Sequence, residues 1–244
     1  MSGPRRIGTV LTVPDVTLAE LLGHAFDLAW IDLEHGALTC ADVPPLAVGL
    51  RAAGCEAHVR LPSWRSEILA PVLDAGVDGI VAPAIAGAEE AVALVRRLRY
   101  PPAGERGFGP RRAGGYGRRS VADTVPCCTV QIESPAAVDA AAAIAAVDGV
   151  DALVIGCADL GLALGGEPGT LSPALAESAL AVRKAAHGAG KAFGVAGATD
   201  AVTLSGVAGD DADVVVHSVD VRIYARAVDL AAGSLGAGAQ GRAA

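Results

Sequence analysis

The sequence lacks a surplus of basic residues. Lys and Arg number 19 against 27 Asp and Glu in 244 residues, which gives a formal net charge of −8. An acidic chain lacks the excess positive charge that attracts nucleic acid or an anionic membrane surface, so neither is an expected partner. Long apolar runs are also missing: none approaches the roughly 18 residues of a membrane span, and "MSGPRRIGTVLTVPD" lacks the apolar centre of a signal peptide. We therefore expect a cytoplasmic protein that acts on a small polar molecule.

Cysteine motifs are missing as well. The cysteines are Cys40, Cys55, Cys127, Cys128 and Cys157, and they form no CxxC pair. An odd count in a chain without a secretion signal is typical of reduced thiols. The sequence thus argues against a disulfide framework and against structural zinc.

Apolar residues, in contrast, are abundant, and their arrangement predicts the fold. They make up 52% of the chain, enough for a large core. Short apolar runs are candidate strands, at 7–13, 28–34, 56–61, 78–83, 127–133, 151–156, 191–197 and 213–219. Stretches of helical periodicity alternate with them, at about 16–23, 42–53, 65–75, 87–98, 136–146, 174–189, 199–208 and 221–232.

This alternation is typical of a parallel sheet whose outer face is covered by helices. Eight β-α units in a chain of this length predict a single-domain α/β fold, a (β/α)8 TIM barrel over residues 1–233. A doubly wound open sheet is the alternative, because strand counts from one sequence are prone to error. The glycine- and alanine-rich residues 234–244 are expected to form a flexible tail that carries no chemistry.

Polar side chains interrupt the apolar pattern where several predicted strands end. The residues at these positions are Glu34, His35, Arg60, Gln131, Glu133 and Asp159. In (β/α)8 barrels the C-terminal strand ends carry the chemistry, so we expect these residues to share one site. Two carboxylates, Glu133 and Asp159, are oxygen ligands suited to Mg²⁺ or Mn²⁺. An arginine holds an anionic substrate bidentately, and a histidine moves protons near neutral pH.

Each of these residues also has a structural interpretation when it is taken alone. Glu133 before "SPAAVDAA" is typical of a helix start, and Asp159 in "GCADLGLALG" is typical of a turn. Arg60 alone is more often a salt-bridge partner, and His35 alone is more often a hydrogen-bonded structural histidine. Their common placement at one end of a barrel is what favours the functional interpretation.

Several longer blocks carry a resemblance to a known family. They read "FDLAWIDLEHGALT", "HVRLPSW", "VLDAGVDGIVAPAIAGAEEA", "RYPPAGERGFGP", "QIESPAAVDAAAAIAAVDGVDALVIGCADLGLALG", "GKAFGVAG" and "VHSVDVRIYARA". Over nearly its whole length the chain resembles the HpcH/HpaI aldolases, the metal-dependent class II pyruvate aldolases that include 4-hydroxy-2-oxoheptanedioate and 2-keto-3-deoxy sugar acid aldolases. The segment "RYPPAGERGFGP" and the spacing from "QIES" to "GCADL" are the most specific features.

The resemblance implies a carbon-carbon lyase that reversibly cleaves a 4-hydroxy-2-oxo acid to an aldehyde and pyruvate, or a close 2-oxo acid, through a metal-stabilised enolate. Glu133 and Asp159 would bind Mg²⁺ or Mn²⁺, with Co²⁺ as a further candidate, and Gln131 would line the metal site. Arg60 would contact the keto oxygen of the substrate. The backbone N–H groups of Ala158 and Asp159 would hold its carboxylate.

The resemblance also implies a proton relay shared between subunits. His35 would work with Asp74 of a neighbouring subunit, while Asp32 would orient His35 or Arg60. The role of Glu34, structural or functional, is not determined by the resemblance. The expected assembly is a homo-oligomer, a hexamer built as a trimer of dimers, with the C-terminal helix exchanged between subunits. The chain contains only two lysines, Lys184 and Lys191, and neither is an evident candidate for Schiff-base chemistry.

Two features leave the identity of the substrate undetermined. The loop with Arg106, Arg111 and Arg112 resembles a family segment that covers the site, and these arginines would meet a distal carboxylate of an acidic substrate or bridge subunits. Cys157 stands where family members usually carry proline. This change would shift the backbone amides that hold the substrate carboxylate, and a thiol so near the metal would make the protein sensitive to oxidation.

Alternatives to the aldolase remain. Within the family, the enzyme would decarboxylate oxaloacetate and couple the resulting enolate in a biosynthetic reaction. From another class, the barrel would bind a ligand without catalysis, a hypothesis opposed by the presence of Arg60, Glu133, Asp159 and His35 together. A CoA-thioester lyase of the citrate lyase type is disfavoured, because no additional domain for the carrier is evident.

Overall fold

The computed structural model of the chain describes residues 4–120, 125–167, 170–197 and 201–234. Eight parallel strands in these ranges close into a barrel in sequence order, with the last strand paired to the first. The strands are β1 Arg6–Leu11, β2 Leu28–Asp32, β3 Glu56–Arg60, β4 Gly79–Ala82, β5 Cys127–Ile132, β6 Ala152–Gly156, β7 Ala192–Gly197 and β8 Val214–Val219. The predicted single-domain (β/α)8 barrel is confirmed, and the open sheet is wrong.

Helices follow the strands and cover the outside of the barrel. They are α1 Val16–Gly23, α2 Val43–Ala52, α3 Leu69–Asp74, α4 Ala88–Leu98, α5 Pro135–Asp139, α6 Ala141–Ala145, α7 Cys157–Ala163, α8 Pro173–Gly188, α9 Ala201–Ala208 and α10 Asp220–Ser234. In the part of the chain that the structure describes, no helix combines the length and the apolar character needed to cross a bilayer.

The observed elements differ from the predicted ones mainly at their ends. The predicted helix at 136–146 is two short helices that share a boundary at Ala140, and the predicted helix at 65–75 begins at Leu69. Helix α7, which directly follows β6, was not predicted, because "CADLGLA" is too short to show helical periodicity. Ser234 ends α10, and residues 235–244 of the expected tail lie outside the described residues.

Local capping explains why several helices begin where they do. The carboxylate of Asp15 accepts a hydrogen bond from the backbone N–H of Leu18 and so caps α1. Ser134 and Ser172 cap α5 and α8 in the same way, and a proline follows each serine at the first helical position. Such side chains satisfy N–H groups that have no partner inside the helix, and proline loses nothing there.

The core has two layers, one on each side of the sheet. The larger layer fills the space between strands and helices and includes Leu50, Ile31 and Phe193, all 0% exposed. The smaller layer fills the barrel interior and includes Trp30 and Val216. Because side chains alternate along a strand, every second residue faces this interior. Towards the carboxyl ends of the strands the inward positions become polar, which places polar side chains at one end of the barrel.

Candidate active site

A cavity of about 370 Å³ lies at the carboxyl ends of the strands. Most of the residues singled out from the sequence line it, namely Asp32, His35, Arg60, Gln131, Ala158 and Asp159. They come from four different strand ends, which the barrel brings together although up to 127 positions separate them in the chain, from Asp32 to Asp159. This is the face where (β/α)8 barrels carry their chemistry.

Asp32 and Arg60 form a buried, bidentate ion pair in the wall of this cavity. They are direct partners in the register of β2 and β3, and Arg60 Nε and Nη2 donate to the two carboxylate oxygens over 2.9 and 2.7 Å. Burial acts to raise the pKa of Asp32, but the hydrogen bond and charge of Arg60 outweigh it and hold that pKa below its ordinary value. The pair therefore keeps the guanidinium charged and fixed in direction, as a planar fork allows.

Glu34 and His35 follow Asp32, and the Asp32 carboxylate fixes the direction of the chain there by accepting hydrogen bonds from their backbone N–H groups. Asp32 Oδ1 accepts from the backbone N–H of Glu34 at 3.0 Å and from that of His35 at 3.4 Å. Glu34 Oε2 lies 3.3 Å from Arg60 Nη1, and burial raises the pKa of Glu34. The His35 side chain is 64% exposed at the cavity mouth, with Nε2 3.8 Å from Glu34 Oε2. The imidazole is thus free to meet a ligand.

Glu133 reaches the site from the end of β5. Its Oε2 accepts a 3.0 Å hydrogen bond from the backbone N–H of Ala84, a residue with φ of 55°. Gly156 on β6 makes room for it, since a Cβ there would lie 2.9 Å from Glu133 Cγ and from Gln131 Nε2. Burial raises the pKa of Glu133 to about 7, with smaller contributions from the nearby charges of Glu34 and Asp159.

The side chains at this end of the cavity fit a divalent cation. Glu34 and Asp159 lie close enough to Glu133 for their charges to oppose its ionisation, and the charge of Asp159 also opposes that of Glu34. Gln131 is 2% exposed, and its Oε1 has no hydrogen-bond partner among the described residues. A cation would offset the repulsion and use that oxygen. No group of three or more His, Cys, Asp or Glu in the described ranges is arranged to hold a metal, so water or substrate oxygens would complete the sphere, as Mg²⁺ prefers.

Asp159 lies in the first turn of α7, three residues after β6 ends. The sequence suggested a turn or a loop at this point, and the structure has a helix instead. Ala158 and Asp159 are exposed and line the cavity. Cys157 also lines the cavity, but it is only 4% exposed and packs in the core between strands and helices, and burial raises its thiol pKa to about 12. A buried thiol with so high a pKa is a poor nucleophile, which counts against the expected sensitivity to oxidation.

Asp74 does not reach the cavity of its own chain. It ends α3, and helices of this fold run back to the face opposite the strand ends where the site lies. Its Oδ1 lies 3.6 Å from Arg106 Nη2. A role beside His35 therefore requires Asp74 from a second copy of the chain.

The arginine-rich loop also lies away from the cavity of its own chain. Arg106 is buried, with its guanidinium 4.6 Å from the centre of the Tyr100 ring, and the backbone N–H of Ala113 donates to the carbonyl of Asp74. Arg111 and Arg112 are exposed, and Arg112 lines a separate cavity. The expectation that this loop covers the site is thus wrong for the loop's own chain, because a connection from helix to strand lies at the opposite face of the barrel.

Two residues of the site were not singled out from the sequence. Asp220, 1% exposed at the start of α10, accepts hydrogen bonds from the backbone N–H groups of Thr12 and Val13 and from the Thr12 hydroxyl. It thereby ties the end of β1 to α10 at the cavity rim. Ser218 lies on the cavity wall at the end of β8. Both occur in the block "VHSVDVRIYARA", where a buried aspartate directly after an apolar strand was the available signal.

The fold and the cavity together define the class of protein, a (β/α)8 enzyme whose carboxylates and arginine converge at the carboxyl ends of the strands. The family model for HpcH/HpaI aldolase/citrate lyase matches residues 13–227. The chain belongs to this family, which confirms the resemblance seen in the sequence and indicates a lyase.

Relatives of known sequence are named as aldolases. The chain is 42% identical over 167 residues to a 4-hydroxy-2-oxovalerate aldolase of Novosphingobium aromaticivorans, a match that spans 65% of the chain and 63% of that protein. It is 34% identical over 200 residues to a hydroxypyruvate/pyruvate aldolase of Roseobacter denitrificans, across 79% of the chain and 78% of the relative. A family structure from Burkholderia cenocepacia J2315 superimposes with a TM-score of 0.86 at 30% identity, covering 95% of this chain and 94% of the other.

Proposed function

We propose that the protein is a divalent-metal-dependent aldolase that reversibly cleaves a 4-hydroxy-2-oxo acid into an aldehyde and pyruvate, or a close 2-oxo acid. The observation that carries the proposal is the buried Asp32–Arg60 pair, which aims a fixed guanidinium into a cavity shared with the carboxylate of Asp159. Membership of the family and the names of the relatives support the same reaction class.

In this proposal Glu133 and Asp159 hold the cation, Mg²⁺, Mn²⁺ or Co²⁺, and Gln131 lines its site. When bound, the cation supplies Lewis-acid stabilisation of negative charge next to the substrate carboxylate. The unpartnered Oε1 of Gln131 and the buried position of Glu133 are the features that support this assignment.

Arg60 binds the keto oxygen of the 2-oxo acid and stabilises the charge that develops there when the C3–C4 bond breaks. Its direction is set by Asp32 before substrate arrives, so little reorganisation is needed in the transition state. Ala158 and Asp159 line the cavity, and their backbone N–H groups hold the substrate carboxylate. Together these contacts orient the scissile bond towards the cavity mouth.

His35 moves the proton of the substrate's 4-hydroxyl group. Its exposed imidazole stands at the mouth, and Asp74 of a neighbouring copy would fix the tautomer from outside. Helix α10 supports such an assembly, because Val221, Tyr224 and Leu230 expose apolar side chains that a second copy would cover. A hexamer with exchanged C-terminal helices, and a location in the cytoplasm, remain predictions from the sequence.

The test is exchange of the C3 protons of pyruvate into deuterated water, followed by NMR after chelation and then addition of Mg²⁺ or Mn²⁺. We expect exchange that requires both the metal and Asp159, so the Asp159→Ala variant is inactive. Asp139→Ala, an exposed aspartate on α5, is the matched control and should exchange at the wild-type rate. If no divalent metal supports exchange of any 2-oxo acid, the non-catalytic ligand-binding barrel becomes the better hypothesis. Release of CO₂ from oxaloacetate tests the decarboxylase alternative.

A further inference from the structure

Asp220 is a buried carboxylate at the rim of the cavity, outside the set of residues assigned to the substrate or the cation. It directly follows β8, begins α10 and is 1% exposed. Its Oδ2 accepts from the backbone N–H groups of Thr12 and Val13 at 2.7 and 2.8 Å. Its Oδ1 accepts from the Thr12 hydroxyl at 2.6 Å and from the N–H of Val221 at 2.7 Å. These hydrogen bonds offset the cost of burying the carboxylate and fix its direction.

Three of these hydrogen bonds hold the chain just beyond the end of β1. Leu11 is the last residue of β1, so Thr12 and Val13 have already left the sheet. The carboxylate of Asp220 joins this segment to α10 across 208 positions of the chain. The start of the loop after β1 is therefore held in place by the first residue of α10.

Thr12 in turn packs against the turn that carries His35. Gly36 follows His35, and a Cβ built on Gly36 would lie 3.6 Å from Thr12 Cβ and 3.3 Å from the carbonyl oxygen of Asp32. The turn is thus enclosed on one side by Asp32 and on another by Thr12. Thr12 and His35 both line the cavity. A displacement of Thr12 would therefore displace the backbone that carries the imidazole.

We infer that Asp220 is a positioning residue that acts through Thr12, fixing the turn after β2 and thereby the direction of the His35 imidazole. Because the His35 side chain is 64% exposed, the placement of its backbone largely decides where the imidazole points. The consequence for catalysis rests on the proposed function, in which His35 moves the proton of the 4-hydroxyl group. A displacement of about 1 Å in such a group lowers the rate about 100-fold.

The chain offers a matched control at the other end of β8. Asp213 directly precedes this strand, and its Oδ2 accepts from the backbone N–H of Phe193 at 2.9 Å and lies 2.8 Å from Nε2 of His187. Asp220→Asn and Asp213→Asn thus each weaken a link from a carboxylate to a neighbouring backbone, at opposite ends of the barrel.

Two substitutions of Thr12 keep the test decisive if Asp220→Asn fails to fold. Thr12→Val removes only the hydroxyl hydrogen bond to Asp220, at nearly constant shape. Thr12→Ser retains the hydroxyl group and should behave as the wild type does. A difference between the two variants therefore reports on the link to Asp220.

The first measurement is NMR of the full chain with ¹³C-labelled histidine, which contains five imidazole groups. His35→Gln and His187→Gln assign the two signals of interest. We expect Asp220→Asn and Thr12→Val to shift the His35 signal and to leave the His187 signal unchanged. Asp213→Asn should do the reverse.

The second measurement is cleavage of 4-hydroxy-2-oxobutanoate, the simplest acid of the proposed substrate class, with saturating Mn²⁺. Asp220→Asn should lower kcat at least about tenfold and leave KM nearly unchanged, because the groups that bind the 2-oxo acid keep their places. In the His35→Gln background the same substitution should have no further effect, since residues that act through one another are not additive. Asp213→Asn should keep the wild-type kcat.

The results that would overturn the inference differ from those that would overturn the proposed function. An unchanged His35 signal in both Asp220→Asn and Thr12→Val excludes positioning, as does an unchanged kcat or an equal loss of kcat with and without His35. The proposed aldolase stands in each of these cases. If the wild type neither cleaves this acid nor exchanges pyruvate with any divalent metal, the proposed function fails, and the His35 signal alone decides whether Asp220 positions the turn.

Discussion

Replacing Asp32 by asparagine tests whether the buried ion pair carries the site. The amide keeps the shape of the side chain and an oxygen that can accept from the backbone N–H of Glu34, but it removes the charge and one of the two acceptors used by Arg60. Removing one partner of a buried ion pair costs about 3–5 kcal/mol. Glu34 remains 3.3 Å from Arg60 as a second negative charge, so we expect the lower end of that range, about 3 kcal/mol.

Urea unfolding at pH 7 measures this loss of stability, and pyruvate exchange measures its consequence for activity. Because Arg60 loses its fixed direction, exchange should fall about 100-fold even where the protein remains folded. The matched control is Asp148→Asn. Asp148 also pairs with an arginine, Arg99, over 2.9 Å, but its side chain is 91% exposed, so this variant should unfold at the wild-type urea concentration.

The effect of the Asp32 substitution should also depend on pH. The pKa of Asp32 in the folded protein lies below its ordinary value, so the pair contributes its full stability above the unfolded pKa of about 3.9. That contribution is lost as the pH falls through the lower, folded pKa, and the difference between wild type and Asp32→Asn should shrink there. Equal urea midpoints for Asp32→Asn and Asp148→Asn at pH 7 would refute the reasoning.

Further predictions concern the metal site, the thiols, the core and the outer surface. Glu133→Gln should weaken Mn²⁺ binding by more than about 100-fold in calorimetry, since the substitution removes a charged ligand; unchanged affinity would place the metal elsewhere. Burial raises the pKa of Cys55 to about 12, so at pH 8 roughly one thiol in 10⁴ is ionised and alkylation by iodoacetamide, followed by mass spectrometry, should be slow until urea is added. Phe193→Ala should cost about 3–5 kcal/mol in urea unfolding because Phe193 is fully buried, whereas Phe108→Ala, at an exposed ring, should leave the midpoint unchanged. Leu230→Asp on α10 should lower the molar mass in light scattering if a second copy covers that helix, and an unchanged mass would exclude this surface from the assembly.

The apolar pattern of the sequence was sufficient to predict the barrel. Near-continuous apolar strands alternating with helices reflect burial on both faces of a parallel sheet, and this signal is local to each segment. The same pattern predicted where strands end, and therefore that Arg60, Gln131 and Asp159 would meet at one face. Those residues do line a single cavity.

Boundaries and short elements were less predictable, for physical reasons. Helix α7 has seven residues, fewer than two full helical turns, so its periodicity carries no signal. Capping by Ser134 and Ser172 follows from local side chains and was in principle readable from the sequence.

By itself, then, the sequence determined the fold class, the family and the side of the barrel that carries the polar residues. Tertiary structure decided which of those residues touch. Asp32 pairs with Arg60 because the register of β2 and β3 places them opposite each other, and Asp74 faces away from His35 because helices run back to the other end of the barrel. The register of β1 with β8 shifts between Gly8 and Val10, close to Ser218 on the cavity wall, when β8 closes onto β1. Register and closure arise from pairing between distant segments, and no local pattern of residues encodes them.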